Sequence, residues 1–265
     1  DQDIAIEDLT VGQMKDFQSY LIGEGLRMNT ISLYNRELRA VYNYALDEEI
    51  IQMDKRPFRK SFTGQEKTRK RAVDGGVVKR LAILSLIDKE MLGFARDLFL
   101  FSIYMQGMPF IDMAYLKKEQ VRNGCITYQR RKTNRQLRVK IHPQAQIIID
   151  RYMVSDPGCP YLFPILYDPE KKTEWEYSSA LRVYNKRLDS LSSLLELDEP
   201  LTSYVARHTW ASLARQCGTS DTVISEAMGH SHVGVTTIYL ASLDIGMVAM
   251  ANQRVITSLF RKRIP

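Results

Sequence analysis

A mostly α-helical protein with one small antiparallel β-sheet is predicted, on three observations. Apolar residues recur at steps of three and four along several segments, the spacing that gives a helix one buried face. A single stretch, residues 125–141, instead alternates apolar and polar positions around a polar turn. The segment DKEMLGFARDLFLFSIYMQ, residues 88–106, is nearly all apolar after Asp97 and reads as a central helix buried on every side.

In chain order, Thr10 can cap a first helix with apolar residues at Val11, Met14, Phe17, Tyr20 and Leu21, ended by Gly23 or Gly25. Asn29 or Thr30 starts a second, whose stripe Ile31, Tyr34, Leu38, Val41 and Ala45 is expected to face a core. From Asp54 to Arg71 the periodicity dissolves into DKRPFRKSFTGQEKTRKR, an interdomain linker by composition. Helices follow at 76–87 and 88–106, and Gly107 closes the second. Ile126 and Tyr128, then Leu137, Val139 and Ile141, alternate around the Lys132-Thr133-Asn134-Arg135 turn as a hairpin. His142-Pro143 opens a helix over 144–153, and another lies near 177–195, with Trp175 before it in a packing role. Two helical segments joined by a Gly-containing turn occupy the region after Pro200. Residues 246–262 form a last amphipathic helix with Val248, Val255 and Leu259 on one side.

Composition bounds the function. The chain has 265 residues, enough for one large or two small domains with real cores. No apolar run approaches the ~18 residues that cross a bilayer, so no membrane partner is expected. The opening DQDIAIEDL has no signal-peptide apolar region, which leaves a cytoplasmic location as the expectation. Cys125, Cys159 and Cys217 are odd in number and widely spaced, so reduced, packed thiols are expected rather than disulfides or a zinc site. The net charge of +6 says less than its distribution. Lys55 to Arg71 holds eight basic residues and one acid, and Arg130 to Lys140 holds six and no acid, clusters that suit a phosphate backbone.

The stretch from Thr202 to Leu240 carries the chemistry. It contains three of the four histidines, His208, His230 and His232, with Arg207 before the first and Tyr239 nine residues after His230. A guanidinium offers a planar fork to phosphate oxygens, an imidazole titrates near neutrality, and a phenol is a possible nucleophile. ARHTWASL, MGHS and TTIY, in this order and spacing, resemble the signature of the tyrosine recombinases, the phage-type integrases: H-x-x-R-H, L-G-H-x-S, then the nucleophilic tyrosine nine residues past that histidine. The match spans about forty residues and carries Arg207, His230 and Tyr239 onto family roles. It departs at the first histidine, which falls on Tyr204. A phenol can hydrogen-bond a phosphate oxygen but, titrating near ~10, is a poor base at neutral pH.

Other family positions follow from the same resemblance. The catalytic lysine lies at a hairpin turn, often within K-T-G, which Lys132-Thr133 fits; Lys140 is the alternative. The segment GMPFIDMAYL stands where the family has G-L-R-x-S-E/D-L-x-x-L, with Gly107, Asp112 and Leu116 in place, but the catalytic arginine's position holds Pro109. Relatives with a similar G-M-P segment often place that arginine just before the glycine, where this chain has Gln106. Arg96, Lys117 or a basic linker residue is then left to supply the missing cation. Asp112 is expected to pair a cation, and His208 to make a buried structural hydrogen bond.

The resemblance implies a tyrosine recombinase catalytic domain over 76–265, preceded by a basic linker at 55–75 and a partial helical SAM-like core-binding domain at 1–54. It implies a site-specific DNA recombinase of a mobile element, cleaving and rejoining DNA through a 3′-phosphotyrosine. Double-stranded DNA is the expected partner, with a homo-tetramer on DNA, a monomer when free, and a nucleoid-associated location. No cofactor and no metal are expected, since no Walker motif, zinc spacing or carboxylate cluster is present. Two competing readings keep the fold: a DNA-binding protein whose catalysis is impaired by the missing arginine, and a type IB topoisomerase-like enzyme.

Overall fold

The computed structural model describes residues 3–64, 66, 72–168, 170–171, 173–229 and 245–260. The chain divides into two compact units, Asp1–Arg69 and Lys70–Pro265.

The first unit is built on α1 (Val11–Gly23) and α2 (Met28–Asp47). Thr10 starts α1 as expected, through a reciprocal capping box with Gln13. Met14, Tyr42, Ala45, Ile51 and Phe58 form its small core. The stripe expected on α2 is only half buried: Ile31 and Ala45 are inside, whereas Tyr34, Leu38 and Val41 are 43%, 40% and 57% exposed. The buried face is rotated toward Ser32, Asn35 and Tyr42, because the chain after α2 returns along that side. Pro57–Lys60 makes a 3-10 turn that buries Phe58, and the next residues dock by their backbone. Asn35 donates to the Phe62 carbonyl at 3.0 Å and Ser32 to the Gly64 carbonyl at 2.6 Å. Thus the basic stretch read as linker is folded against the first unit at least as far as Gly64, the buried Phe58 and the polar groups of α2 supplying the contacts. The Glu66 backbone also exchanges hydrogen bonds with the Asn29 side chain.

The second unit surrounds α4 (Glu90–Tyr104), which is buried as its composition predicts; Phe99, Phe101 and Ile103 are fully inaccessible. Packed on α4 are α3 (Gly75–Ile83), α6 (Pro143–Tyr152), α7 (Tyr177–Leu194) and α8 (Val205–Gln216). Asp97, the lone acid in the buried part of α4, is satisfied by Arg96 at 2.7 Å and by Arg151 and Tyr152 of α6, each at 2.8 Å. A buried carboxylate with three donors ties the two helices together instead of costing its full desolvation.

The short α5 (Phe110–Ala114) leads to the three-stranded antiparallel sheet of β1 (Val121–Arg122), β2 (Cys125–Gln129) and β3 (Gln136–Lys140). Ile126 pairs with Val139 and Tyr128 with Leu137, so the alternating apolar residues of the expected hairpin meet on one face. A second ribbon, β4 (Tyr167–Asp168) with β5 (Thr173–Glu174), is too short to leave a pattern in sequence. The last elements are α9 (Asp221–Met228) and α10 (Ile245–Phe260). Val248, Val255 and Leu259, predicted to share one side of α10, are buried against its own unit. Asn252 anchors it: its amide donates to the Tyr104 carbonyl at 2.6 Å, and its oxygen accepts from the Trp210 indole at 3.0 Å.

His142 caps α6, its Nδ1 accepting from the Gln144 amide at 3.2 Å. Burial lowers its pKa below 6.5, opposed by a hydrogen bond with Gln253 of α10. A depressed folded-state pKa contributes stability that is present above the unfolded value and lost as pH falls through it, because the protonated ring no longer accepts at Nδ1. Thermal melts from pH ~8 to ~5 should therefore show a fall in Tm below the unperturbed histidine range near ~6.5, and His142→Asn, a cap that does not titrate, should flatten it. Equal slopes in both proteins would remove His142 as the cause.

Candidate active site

Arg207 sits on the first turn of α8 and is 5% exposed. Its Nη1 donates to the Gly107 carbonyl at 2.8 Å and its Nη2 to the Met228 carbonyl at 2.6 Å. The guanidinium therefore joins the end of α4 to the end of α9. Gly107 is required there twice: its φ is +71°, and a Cβ would stand 3.1 Å from the Arg207 Cα. Burial, and then the neighbouring Arg130 charge, bring the Arg207 pKa down to about 10, so it remains a cation at neutral pH.

The second cation of the site comes from the hairpin. Arg130 follows β2 and is also 5% exposed. Its Nη1 donates to the same Met228 carbonyl that Arg207 reaches. Its Nε lies 3.1 Å from Asp112 Oδ2, off the line of a hydrogen bond, so the contact is a buried ion pair. The other oxygen of Asp112 accepts from the Arg131 amide at 3.0 Å, and the Arg131 guanidinium lies over the Tyr115 ring. Asp112 thus holds a cation, as its place in the motif implied. Burial raises the Asp112 carboxyl above its ordinary pKa, with the Arg131 amide and the guanidiniums of Arg130, Arg207 and Arg131 pulling the other way.

Of the cations considered from sequence to replace the missing arginine, Arg96 binds Asp97 and the Leu84 carbonyl, and Lys117 makes an exposed 3.7 Å pair with Glu119. The basic linker residues Lys67, Arg69, Lys70 and Arg71 lie outside the described residues. Gln106, the position where relatives with a G-M-P segment are expected to carry the arginine, is 3% exposed, adopts a φ of +62° and carries no charge. Arg130 was missed because it lay within a run of basic residues. One signal pointed to it: with Ile126 and Tyr128 facing inward, position 130 continues the same face.

The remaining site residues fall as follows. Lys132 is exposed on the hairpin turn between Arg130 and Arg135, and Lys140 is exposed at the far end of β3. Tyr204 precedes α8, is 52% exposed, and lines a cleft of about 250 Å³ with Arg207, His208 and Met228. His208, expected to make a buried structural hydrogen bond, is half-buried, its ring 4.5 Å edge-on from that of Tyr204. His230, His232 and Tyr239 lie outside the described residues. The chain reaches them through Gly229, which closes α9 at φ +63°. A Cβ at Gly229 would meet Leu137 at 3.0 Å and Arg130 at 3.2 Å, which explains why glycine precedes His230. Among the described residues no His, Cys, Asp and Glu group could hold a metal ion, and no helix is long and apolar enough to cross a membrane.

Residues 1–62 match the phage integrase SAM-like domain and residues 79–244 match the phage integrase family. Among solved structures, a Tn1549 transposon integrase in complex with transposon right end DNA has a TM-score of 0.70 at 13% identity, over 96% of this chain and 88% of that one. A lambda integrase dimer bound to a COC′ core site has a TM-score of 0.65 at 14% identity, over 96% and 82%. A lambda integrase tetramer bound to a Holliday junction gives 0.68 at 16%, over 91% and 67%. No curated protein sequence matches. With family matches over residues 1–62 and 79–244, the chain belongs to the phage integrase family of tyrosine recombinases.

Proposed function

We propose that this protein is a site-specific recombinase that cleaves and rejoins duplex DNA through a 3′-phosphotyrosine, with Arg130 and Arg207 as paired cations on the scissile phosphate. The observation that carries the reading is the convergence of two buried guanidiniums on the Met228 carbonyl, two residues before His230. Breaking a phosphodiester places extra negative charge on the non-bridging oxygens, and fixed donors aimed at them are worth far more than mobile ones. The Tyr239 oxygen gives up its proton to solvent water, the phenolate being stabilised by the positive field of the site, and attacks phosphorus. The bond from phosphorus to the 5′-oxygen breaks, and Lys132 delivers a proton to that oxygen. His230 donates a hydrogen bond to the phosphate, and Tyr204, at the edge of the cleft, donates another. The phosphoester count is unchanged, so attack by a 5′-hydroxyl reverses the step without ATP.

In this reading the first unit and its basic stretch grip the duplex, and four copies assemble on two duplexes; the lambda integrase forms a tetramer on a Holliday junction. The test begins by mapping the sequence the protein protects in a DNA library. A duplex with that sequence, nicked beside the cleavage point so that the short 5′-hydroxyl strand diffuses away, should then trap a covalent adduct on the peptide containing Tyr239. Protection without an adduct would leave the DNA-binding reading in its place; relaxation of supercoils without sequence preference would favour the topoisomerase reading.

A further inference from the structure

The hairpin turn is fastened to the last turn of α9 at three points. Arg130 donates to the Met228 carbonyl, Thr133 Oγ1 donates to the Gly229 carbonyl at 3.3 Å, and the Arg135 guanidinium pairs with the Glu226 carboxylate. The Arg135 and Glu226 side chains are 37% and 30% exposed, and ion pairs this open contribute little to stability. Their geometric consequence is larger. Lys132 stands on the turn between the fastened positions 130 and 133, and α9 leads through Gly229 directly to His230. Holding Arg135 to Glu226 therefore holds the Lys132 turn in register with the segment that delivers His230.

We propose that Arg135 and Glu226 are positioning residues for the proton-transfer step, a latch that keeps Lys132 over the departing 5′-oxygen. The proposal rests on the reading of Lys132 as the acid given above. A turn let loose by breaking the pair keeps its lysine but loses its aim, and a misplacement of about an ångström costs on the order of a hundredfold in rate.

The experiment measures single-turnover cleavage of the nicked duplex at saturating protein, for Arg135→Glu, Glu226→Arg and the double exchange. Each single variant is expected to slow cleavage by on the order of ten- to a hundredfold. Their DNA affinities should move in opposite directions, weaker for Arg135→Glu and tighter for Glu226→Arg, so that a shared rate loss cannot come from binding. The double exchange restores the pair with its charges reversed and should recover most of the rate. A second substrate carries sulfur in place of the bridging 5′-oxygen; a thiolate leaves without a proton, so both single variants and Lys132→Ala should cleave it at close to the wild-type rate. If Lys132→Ala is not rescued by sulfur, the acid assignment falls and the latch with it. If Lys132→Ala is rescued while the single variants stay slow on sulfur, or if the double exchange stays slow, the latch alone is overturned.

Discussion

Arg130→Ala is expected to reduce single-turnover cleavage by on the order of a hundred- to a thousandfold, the range seen when one preorganised donor to a developing charge is removed. Arg130 and Arg207 share 5% exposure and a common carbonyl acceptor, so the loss should match that of Arg207→Ala. Arg130→Lys should recover little, because an ammonium cannot reach Met228 and the Asp112 carboxylate with a planar fork. The lysine variant keeps the positive charge beside Asp112, which separates lost chemistry from lost fold; circular dichroism and melting on the same sample check this. Arg96→Ala and Lys117→Ala, whose cations are held by Asp97 and Glu119, are the comparison pair. A slower Arg96→Ala beside an unaffected Arg130→Ala would return the second-cation role to α4.

Asp112→Ala is expected to lower unfolding stability by about 3–5 kcal/mol, the usual cost of removing one partner from a buried ion pair. The Arg130 and Asp112 side chains are 6% and 1% exposed, so neither charge can turn to water when the other is lost. Asp112 also accepts from the Arg131 amide and opposes the charge of Arg207, so its removal leaves two guanidiniums facing each other without a counter-charge. Asp112→Asn keeps the acceptor for the amide and should fall between wild type and alanine. The double variant Asp112→Leu with Arg130→Met should be more stable than Asp112→Ala yet inactive, since well-packed apolar groups can replace a buried pair but cannot bind phosphate. Urea unfolding with an unchanged slope is the measurement. A loss within the range of an ordinary surface substitution, ~0.5 kcal/mol, would mean that the pair contributes little to the native state.

The division between local pattern and tertiary choice runs through the site itself. Helix starts at Thr10 and His142, the buried α4, the register of Tyr128 with Leu137, and the inward face of α10 all follow from periodicities of a few residues. The same short-range order placed Arg207 in a motif and Lys132 on a turn. Which face of α2 is covered was not legible. Its stripe through Tyr34, Leu38 and Val41 satisfies helical spacing, but burial depends on where the chain beyond Phe58 returns.

What the sequence alone determined is therefore the helical class, the hairpin, the family and one of the two arginines proposed to bind phosphate, Arg207. Only the tertiary structure brought the other, Arg130, beside it. Arg130 meets Asp112 from a different element and a carbonyl 98 residues further along the chain. Such a pairing leaves no periodic trace, because what selects it is the requirement that a charge taken out of water find a counter-charge and an acceptor within a few ångströms.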